Sequence, residues 1–362
     1  MTAAGQPRIV LRADASLEIG TGHVMRCLVL AEELRERGAD CEFVCRELPG
    51  HRIDEIRRRG FDVHVLPPPA SPMGWLGVPV ELDVTETRAA FGDRPVDWLV
   101  VDHYGLDARW ERPLRPAARK IMVIDDLADR PHECELLLDQ NLGRAPGDYE
   151  ALVPPHCQLL CGPAFALLRP GFARLRPLSL ERRAEGGLER ILVTMGGIDK
   201  ADATGQVLEA LGASRLPAEI AVTVVMGSRA PWLEQVRAKV AALPFRAEVV
   251  VDVDDMAERM GASDFAIGAA GSTSWERCCM GLPSALVVLA DNQAPICREL
   301  AAAGAAFDLG APDDIARTLP PIIADLVRDP AVLATMSATA AAICDGRGTA
   351  RVADALLAGR GE

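Results

Sequence analysis

The sequence contains no long hydrophobic run and no excess of positive charge. The apolar stretch at 285–290 is far shorter than the roughly 20 residues that a membrane-spanning helix requires. The formal net charge of −13 matches a nucleic-acid backbone poorly, although such a total does not exclude a local basic groove. We therefore expect no membrane span and no nucleic-acid partner, and we expect a small molecule as the partner instead.

The chain also has no recognisable export signal and no cysteine pattern of a zinc site. Residues 1–7 lack the basic and apolar regions of a signal peptide, so we expect a cytoplasmic protein. In that compartment the ten cysteines are expected to be reduced. Pairs such as Cys41 and Cys45 do not have the spacing of zinc ligands. We expect no metal, no cofactor and a monomer.

The chain of 362 residues is too long for one hydrophobic core. Short apolar runs alternate with segments of helical periodicity, which is typical of βαβ units. The sequence thus predicts an α/β fold with two Rossmann-like domains and a cleft between them. Strands are predicted at 9–12, 41–45, 62–66, 98–102, 121–125, 136–139, 191–194, 220–226, 248–252, 265–268 and 285–289.

Composition also predicts where the two domains meet in the sequence. Proline and charge become frequent from 169 to 187, where no periodicity is sustained, so an interdomain linker is expected there. The first domain is then 1–168 and the second is 188–362. The alanine-rich end, 331–358, is expected to be helical and to pack back towards the first domain.

A glycine-rich turn follows the first predicted strand, at the edge of the sheet where open α/β folds bind ligands. Gly20 and Gly22 allow close approach of the backbone to a ligand, and a helix begins near His23. A dinucleotide-binding fingerprint would need a third glycine where Met25 stands. The turn is therefore a candidate site for another kind of ligand, although a plain tight turn would have a similar sequence.

His23 is the candidate general base within this turn. A histidine at the amino end of a helix is expected to stay neutral and to accept a proton, because the positive end of the helix dipole disfavours the imidazolium. A single histidine is more often structural, but the flanking glycines leave this one little side-chain packing. Asp14 lies close in sequence, and we hypothesise that it holds the other ring nitrogen.

Two further turns suggest an anion site in the second domain. Gly196 and Gly197 follow the first strand of that domain. Gly271, Ser272 and Thr273 connect a later strand to a helix and can present N–H and O–H donors to a phosphate. Glu276 in the first turn of that helix could bind ribose hydroxyls, or could be no more than a favourable charge near a helix start. A P-loop lysine and a nucleophile-elbow serine are both missing, which argues against ATPases and serine hydrolases.

Taken together, these motifs resemble the UDP-sugar hydrolases of pseudaminic acid biosynthesis over nearly the full length of the chain. The second half is also similar to the nucleotide-binding domain of the peptidoglycan N-acetylglucosamine transferase. The motifs that carry the resemblance are RADAS (12–16), IGTGHVMRC (19–27), VDHYG (101–105), IDDL (124–127), DQN (139–141), TMGG (194–197) and GSTSWE (271–276).

The resemblance implies a glycosyltransferase type B architecture and metal-free cleavage of UDP-2,4-diacetamido-2,4,6-trideoxy-β-L-altropyranose to UDP and the free sugar. It implies His23 as the base, and Asp14 is our second catalytic candidate because of its closeness in sequence. The residues that it places near the sugar are Asp102 and Tyr104, and we add Gly20, Gly22 and Arg26 of the glycine-rich turn and its motif as sugar-binding candidates. Those that it places near UDP are Gly196, Gly197, Gly271, Ser272, Thr273, Glu276, Asn292 and Gln293. Segment 67–94 does not align clearly with the family and is a candidate for setting sugar preference.

The resemblance and the motifs leave two alternatives. A glycosyltransferase on the same fold would direct an acceptor hydroxyl, instead of water, at the anomeric carbon, and the fold alone does not separate the two activities. A non-catalytic nucleotide-sugar binding protein would not require the histidine. Release of UDP without an acceptor would exclude both alternatives.

Overall fold

The computed structural model describes residues 6–70, 74–92, 94–184, 187–214 and 216–358. These residues form two compact domains, which we number in chain order. Domain 1 comprises residues up to 167 together with those from 347 onward, and domain 2 comprises 168–346. The predicted boundary near 168 thus lies within one residue of the observed one, but the end of the chain belongs to domain 1.

Domain 1 is built on a seven-stranded parallel sheet in the order β3-β2-β1-β4-β5-β6-β7. Its central strands are largely buried and apolar, as expected for a parallel sheet covered on both faces. The elements are β1 (Arg8–Ala13), α1 (Gly22–Glu36), β2 (Asp40–Arg46), α2 (Ile53–Arg58), β3 (Asp62–Leu66), α3 (Val80–Phe91), β4 (Val96–Asp102), α4 (Ala108–Leu114), β5 (Ala118–Ile124), β6 (Leu136–Asp139) and β7 (Gln158–Cys161).

Domain 2 repeats this plan with a six-stranded parallel sheet in the order β10-β9-β8-β11-β12-β13. The remaining elements in chain order are α5 (Pro170–Arg183), β8 (Arg190–Thr194), α6 (Ala203–Ala213), β9 (Ala221–Met226), α7 (Leu233–Ala241), β10 (Arg246–Val251), α8 (Met256–Ala262), β11 (Phe265–Ala269), α9 (Thr273–Cys279), β12 (Ser284–Val287), α10 (Ala294–Ala302), β13 (Ala306–Asp308), α11 (Ile315–Arg328), α12 (Ala331–Ile343) and α13 (Gly348–Leu357).

The strand order of each sheet determines where a ligand site forms. In domain 1 the order reverses between β1 and β4, and in domain 2 it reverses between β8 and β11. Loops that follow the two strands at such a reversal diverge to opposite faces of the sheet and leave a crevice at its carboxyl edge. The predicted His23 turn follows β1, and the two predicted glycine turns follow β8 and β11. Both candidate sites therefore lie at the reversal point of their own sheet.

The predicted linker at 169–187 is wrong for most of its length, because Pro170–Arg183 is the helix α5 of domain 2. Its helical period is weak because much of its packing uses polar contacts. Phe172 is buried, but Arg176 donates to the carbonyl oxygens of Cys279 and Ala341 at 2.5 and 2.6 Å. Proline at the first helical position does not disrupt a helix.

The alanine-rich end forms two helices in different domains. The first, α12, belongs to domain 2, and α13 packs against α1 in domain 1. Val352 and Leu356 of α13 are buried in the core of domain 1, and Nε1 of Trp98 donates to the carbonyl oxygen of Leu356 at 2.8 Å. The predicted helicity is confirmed, with an interruption at 344–347.

Candidate active site

His23 and Asp102 meet at the reversal point of the first sheet. His23 is the second residue of α1, and Asp102 is the last residue of β4, which pairs directly with β1. Nδ1 of His23 lies 2.6 Å from Oδ1 of Asp102. An ionised carboxylate only accepts hydrogen bonds, so it holds the proton of a neutral ring on Nδ1 and leaves Nε2 as the proton acceptor. This is the tautomer that a general base requires.

The ring of His23 is largely buried, yet one edge keeps access to solvent. The side chain is 8% exposed. Among the residues that the structure describes, Nε2 has no hydrogen-bond partner, and it is not one of the fully buried polar atoms left unpaired. The nitrogen opposite Asp102 is therefore the one that can reach a water molecule.

Arg26, one turn along α1 from His23, completes this group. Its Nε and Nη2 donate to the two oxygens of Asp102 at 2.6 and 2.7 Å, and its Nη1 is 2.9 Å from Asp126. Burial alone would raise the pKa of Asp102, but the charge of Arg26 and the hydrogen bonds from Arg26 and His23 hold that pKa well below its usual range. Asp102 is thus ionised at neutral pH, as its role in orienting the ring requires.

A contact between Asp102 and the sugar stays a prediction, and the surroundings of Asp102 indicate a different role. Its side chain is completely buried, and both oxygens are engaged by Arg26 and His23. Asp102 therefore positions His23. For Arg26, a contact with the sugar remains a prediction, because its side chain is 8% exposed and two of its nitrogens hold Asp102.

The hypothesis that Asp14 holds the ring of His23 is wrong. Asp14 is fully buried and accepts from Arg12 at 2.6 Å and from the backbone N–H of Arg46 at 2.7 Å. Its other oxygen lies 3.4 Å from Nε2 of His103. Arg12 pairs with Asp14 because residues two apart in an extended segment share a face. The described part of domain 1 thus contains two buried histidine–aspartate pairs, one formed by His23 and Asp102 and the other by His103 and Asp14.

Tyr104 connects the histidine to an exposed aromatic side chain. Its ring packs edge-on against His23 at 4.6 Å and against Trp75 at 5.1 Å, and its hydroxyl donates to Asp126 at 2.9 Å. Burial, followed by the charge of Asp126, raises the pKa of Tyr104, so it stays a neutral donor. Trp75 is 46% exposed. Sequence reasoning missed Trp75 because it lies in the segment that did not align.

Three further motif members lie in the same domain. Asn141 is 3.3 Å from Asp126, which places the two motifs IDDL and DQN together. Tyr149 donates to both Asp125 and Asp139, at 3.0 and 2.8 Å. Burial and the charge of Asp126 raise the pKa of Asp139 to about 7. Four of the motifs, IGTGHVMRC, VDHYG, IDDL and DQN, are therefore connected through Asp126 in one polar network at the carboxyl edge of the sheet.

The two predicted glycines of the first turn have different roles. Gly20 has φ +82°, a backbone conformation that favours glycine, and it pairs with Ser16 in an isolated bridge. Gly22 is the first residue of α1. A Cβ atom at either position would meet no other atom within 4 Å. The turn thus leaves open space beside His23, and its contact with a sugar remains a prediction.

The predicted glycine turns of domain 2 are neighbours in the structure. Thr194 of β8 pairs with Gly268 of β11. Gly196 and Gly197 follow the first of these residues, and Gly271 follows the second. Gly196 has φ +84°, and a Cβ atom at Gly196 or Gly197 would meet nothing within 4 Å. The two turns therefore present backbone to the same edge of the sheet, as an anion site requires.

Side chains from two loops meet beside the second of these turns. Ser272 is exposed, and Thr273 begins α9. Gln293 accepts from the backbone N–H of Leu289 at 3.0 Å, and its amide nitrogen would lie 3.8 Å from a Cβ atom at Gly271. Asn292 is exposed in the short turn just before Gln293. The structure thus brings Gln293 to the glycine turn, as expected for one binding site.

Glu276 occupies the first turn of α9 with a largely covered side chain. It is 17% exposed, and the nearest cation is Arg169, whose Nη2 is 4.0 Å away. Burial raises the pKa of Glu276 to about 7, although Arg169 and Arg277 act in the opposite direction. Its carboxylate therefore titrates close to neutral pH, which an ordinary surface charge at a helix start would not do.

Two general features bear on the remaining predictions. In the described part of the chain, no helix is long and apolar enough to cross a membrane. Within those same residues, no three histidine, cysteine or acidic side chains are grouped as metal ligands. The monomeric state and the cytoplasmic location stay predictions.

Comparison with known proteins supports the resemblance. Residues 190–353 match the glycosyltransferase family 28 C-terminal domain. The chain is 28% identical over 266 residues to the UDP-2,4-diacetamido-2,4,6-trideoxy-beta-L-altropyranose hydrolase of Campylobacter jejuni, covering 73% of this chain and 85% of that one. It is 34% identical over 201 residues to the UDP-N-acetylglucosamine–N-acetylmuramyl-(pentapeptide) pyrophosphoryl-undecaprenol N-acetylglucosamine transferase of Rhodospirillum centenum, covering 54% of this chain and 52% of that one.

The fold resembles that of MurG from Acinetobacter baumannii. Its crystal structure superposes with a TM-score of 0.72 at 15% identity, over 97% of this chain and 99% of that one. The likeness extends over both domains, and it confirms the predicted α/β fold with two Rossmann-like domains of the glycosyltransferase type B class.

Proposed function

We propose that the protein hydrolyses a UDP-linked amino sugar to UDP and the free sugar without a metal. Domain 1 would bind the sugar and domain 2 the nucleotide. The hydrolase from Campylobacter jejuni supports this proposal, because the similarity covers most of both chains. We infer UDP-2,4-diacetamido-2,4,6-trideoxy-β-L-altropyranose as the substrate, in pseudaminic acid biosynthesis, with a related UDP-amino sugar as the alternative.

The pair formed by His23 and Asp102 is the single observation on which the mechanism depends. Asp102 accepts from Nδ1 of the ring, so Nε2 can take a proton from water as the oxygen attacks the anomeric carbon. The bond from that carbon to the β-phosphate oxygen breaks, and the electron pair leaves with UDP. One displacement of this kind inverts the configuration of the anomeric carbon.

The glycine turns of domain 2 would hold the departing UDP. Backbone N–H groups and hydroxyls aimed at the diphosphate would stabilise the charge that develops on it. We propose that Glu276 accepts hydrogen bonds from the ribose hydroxyls. The other residues proposed to contact UDP are Gly196, Gly197, Gly271, Ser272, Thr273, Asn292 and Gln293.

A glycosyltransferase is the second candidate function. Two observations favour it, namely the match of residues 190–353 to a glycosyltransferase domain and the 34% identity to the Rhodospirillum centenum transferase. Both matches lie wholly or partly in the half of the chain that would bind nucleotide, which either activity needs. The hydrolase and the glycosyltransferase therefore differ in the nucleophile that attacks the anomeric carbon, which is water in the first and an acceptor hydroxyl in the second.

An acceptor-free assay tests the proposed function. The protein would be incubated with a panel of UDP-sugars in the presence of a chelator, and we would measure UDP release and the anomeric configuration of the product. We expect release of UDP with inversion. Release that requires an added alcohol would identify a glycosyltransferase, binding without release would identify a binding protein, and loss of activity on chelation would contradict metal independence.

The raised pKa of Glu276 predicts a pH-dependent affinity for uridine. Uridine is the suitable ligand because it has ribose hydroxyls but no phosphate that titrates. The carboxylate is a stronger hydrogen-bond acceptor than the carboxylic acid. Since the pKa is about 7, uridine affinity should fall by up to about tenfold between pH 7 and pH 6. Calorimetric titration across this range would measure it.

The matched control is Glu276→Gln, which keeps the shape of the side chain but does not titrate. Its uridine affinity should be low and independent of pH. Folding stability should show the opposite trend in the free protein. The folded-state pKa lies above the ordinary value of 4.5, so the contribution of Glu276 to stability falls as pH rises from about 4.5 to about 7. Equal pH profiles for the two proteins would exclude Glu276 from the ribose site.

A further inference from the structure

Arg277 is a buried cation at the predicted diphosphate site that has no acidic partner. It is 1% exposed. Its Nη2 donates to the carbonyl oxygen of Ala269 at 2.7 Å and to Oγ of Ser274 at 3.0 Å. Its Nη1 is 3.5 Å from Oγ1 of Thr273. Its Nε is buried without a hydrogen-bond partner. Within the described residues it forms no ion pair.

This environment is unusual for a buried arginine in this protein. Arg12, Arg26 and Arg46 are each paired with a buried or nearly buried carboxylate. Arg183 has no such partner, but it donates to carbonyl oxygens of Met260 and Ser263 at and just beyond the end of α8, where a positive charge is favourable. In each of these cases a carboxylate or the carboxyl end of a helix faces the guanidinium, although burial also lowers the pKa of Arg183 to about 10.

The guanidinium of Arg277 faces the amino end of its own helix, whereas that of Arg183 faces the carboxyl end of α8. Arg277 lies within α9, and its guanidinium folds back towards the amino end of that helix, beside Thr273. A positive charge is unfavourable at this end. Burial also lowers the pKa of Arg277 to about 10, so the side chain is still charged at neutral pH. Keeping an uncompensated charge here costs stability in the free protein.

The guanidinium of Arg277 lies close to the start of both glycine turns. A Cβ atom at Gly268 would lie 2.7 Å from Nη1 of Arg277 and 2.7 Å from the carbonyl oxygen of Thr194. Only glycine at 268 leaves room for Arg277 between β8 and β11. Thr194 directly precedes the first glycine turn, and Thr273 ends the second. Arg277 therefore lies directly beneath the edge where both turns begin.

We propose that Arg277 is a positioning residue that supplies the balancing charge for the diphosphate of UDP. It acts through Thr273, whose Oγ1 accepts from the guanidinium and whose O–H is thereby directed outward to donate to a phosphate oxygen. Ser274 accepts in the same way but is itself 1% exposed, so Thr273 is the outward donor. This inference rests on the proposed function, because it assumes that domain 2 binds UDP.

The test compares Arg277→Met with Arg277→Lys. We would measure thermal stability without ligand, and the Kd of UDP and of uridine by calorimetry. Arg277→Met should leave stability equal or raised, since it removes an uncompensated buried charge. Its affinity for UDP should fall about ten- to a hundredfold, with that for uridine unchanged. Arg277→Lys should restore part of the UDP affinity because it restores the charge.

The matched control is Arg183→Met, which removes a buried arginine held by carbonyl oxygens in the same domain. It should lower thermal stability without changing either Kd. If Arg277→Met behaves like this control, or weakens UDP and uridine equally, the proposal is wrong. Failure of the parent protein to bind UDP would instead contradict the proposed function.

A second variant covers the case in which Arg277→Met does not fold. Thr273→Val keeps the shape of a partly exposed side chain but removes the hydroxyl. It should lose affinity for UDP and not for uridine. Where both variants fold, the double mutant should lose little more than Arg277→Met alone, because the two residues act as one unit. Unchanged UDP affinity in Thr273→Val would overturn the proposal.

Discussion

Replacing His23 with alanine should reduce the rate of UDP release by about 10²- to 10⁴-fold, the usual contribution of a general base. The proton of the attacking water would then have no acceptor, because Nε2 is the ring nitrogen left free by Asp102. The Kd of UDP should stay close to that of the parent, since the residues that we propose to bind the nucleotide belong to the other domain. Single-turnover kinetics and calorimetric titration with UDP would measure the two effects.

The second buried histidine of domain 1 provides the control. His103 is 3% exposed and faces Asp14, in an arrangement similar to that of His23 with Asp102. Glutamine at 103 can still accept from the backbone N–H of Gly105, which is 3.0 Å from the ring. His103→Gln should lower thermal stability and keep most of the turnover per folded molecule. Equal losses of turnover in the two variants would rule out a special role for His23.

Asp102→Asn should also reduce turnover strongly, by about 10²-fold or more, although it leaves His23 in place. Asparagine can donate its amide hydrogen to Nδ1, which would move the ring proton to Nε2 and remove the acceptor. The UDP affinity should again be unchanged. A turnover rate within a fewfold of the parent would show that the ring does not depend on Asp102 for its tautomer.

The same substitution should destabilise the protein in a pH-dependent way. Arg26 would lose the carboxylate that holds two of its nitrogens. Because the folded-state pKa of Asp102 is depressed, its contribution to stability is present above the ordinary carboxyl pKa and is lost as pH falls. The difference in melting temperature between parent and variant should therefore be largest near neutral pH. Asp14→Asn should show a similar stability loss without the specific loss of turnover.

Most strands of each sheet could be predicted from the sequence, but one edge strand of each could not. Eleven strands were predicted from apolar runs, and each corresponds to an observed strand with small shifts at its ends. The strands that the sequence did not reveal are β7 and β13, the outermost on one side of each sheet. β7 has only one buried residue of four, and β13 has three residues in all. Edge strands of this kind lack the hydrophobic run that identifies a buried parallel strand.

The candidate site was predicted in position but not in its pairings. His23 could be recognised because the turn after the first strand of such a fold is a binding position. The partner of His23 was misassigned because Asp14 is near in sequence, whereas Asp102 becomes its neighbour only when β4 pairs with β1. Trp75 was missed for a different reason, since it lies in the segment that does not align with the family and comes beside Tyr104 only in the folded protein.

The division of the chain between the domains has a consequence for how the protein is made. Domain 2 is inserted between the main part of domain 1 and its last helix, α13. Trp98 and the core around it gain their covering residues, Val352 and Leu356, only from that helix. During synthesis α13 therefore leaves the ribosome only after the whole of domain 2. Until then, the hydrophobic face of domain 1 that α13 covers lacks this helix.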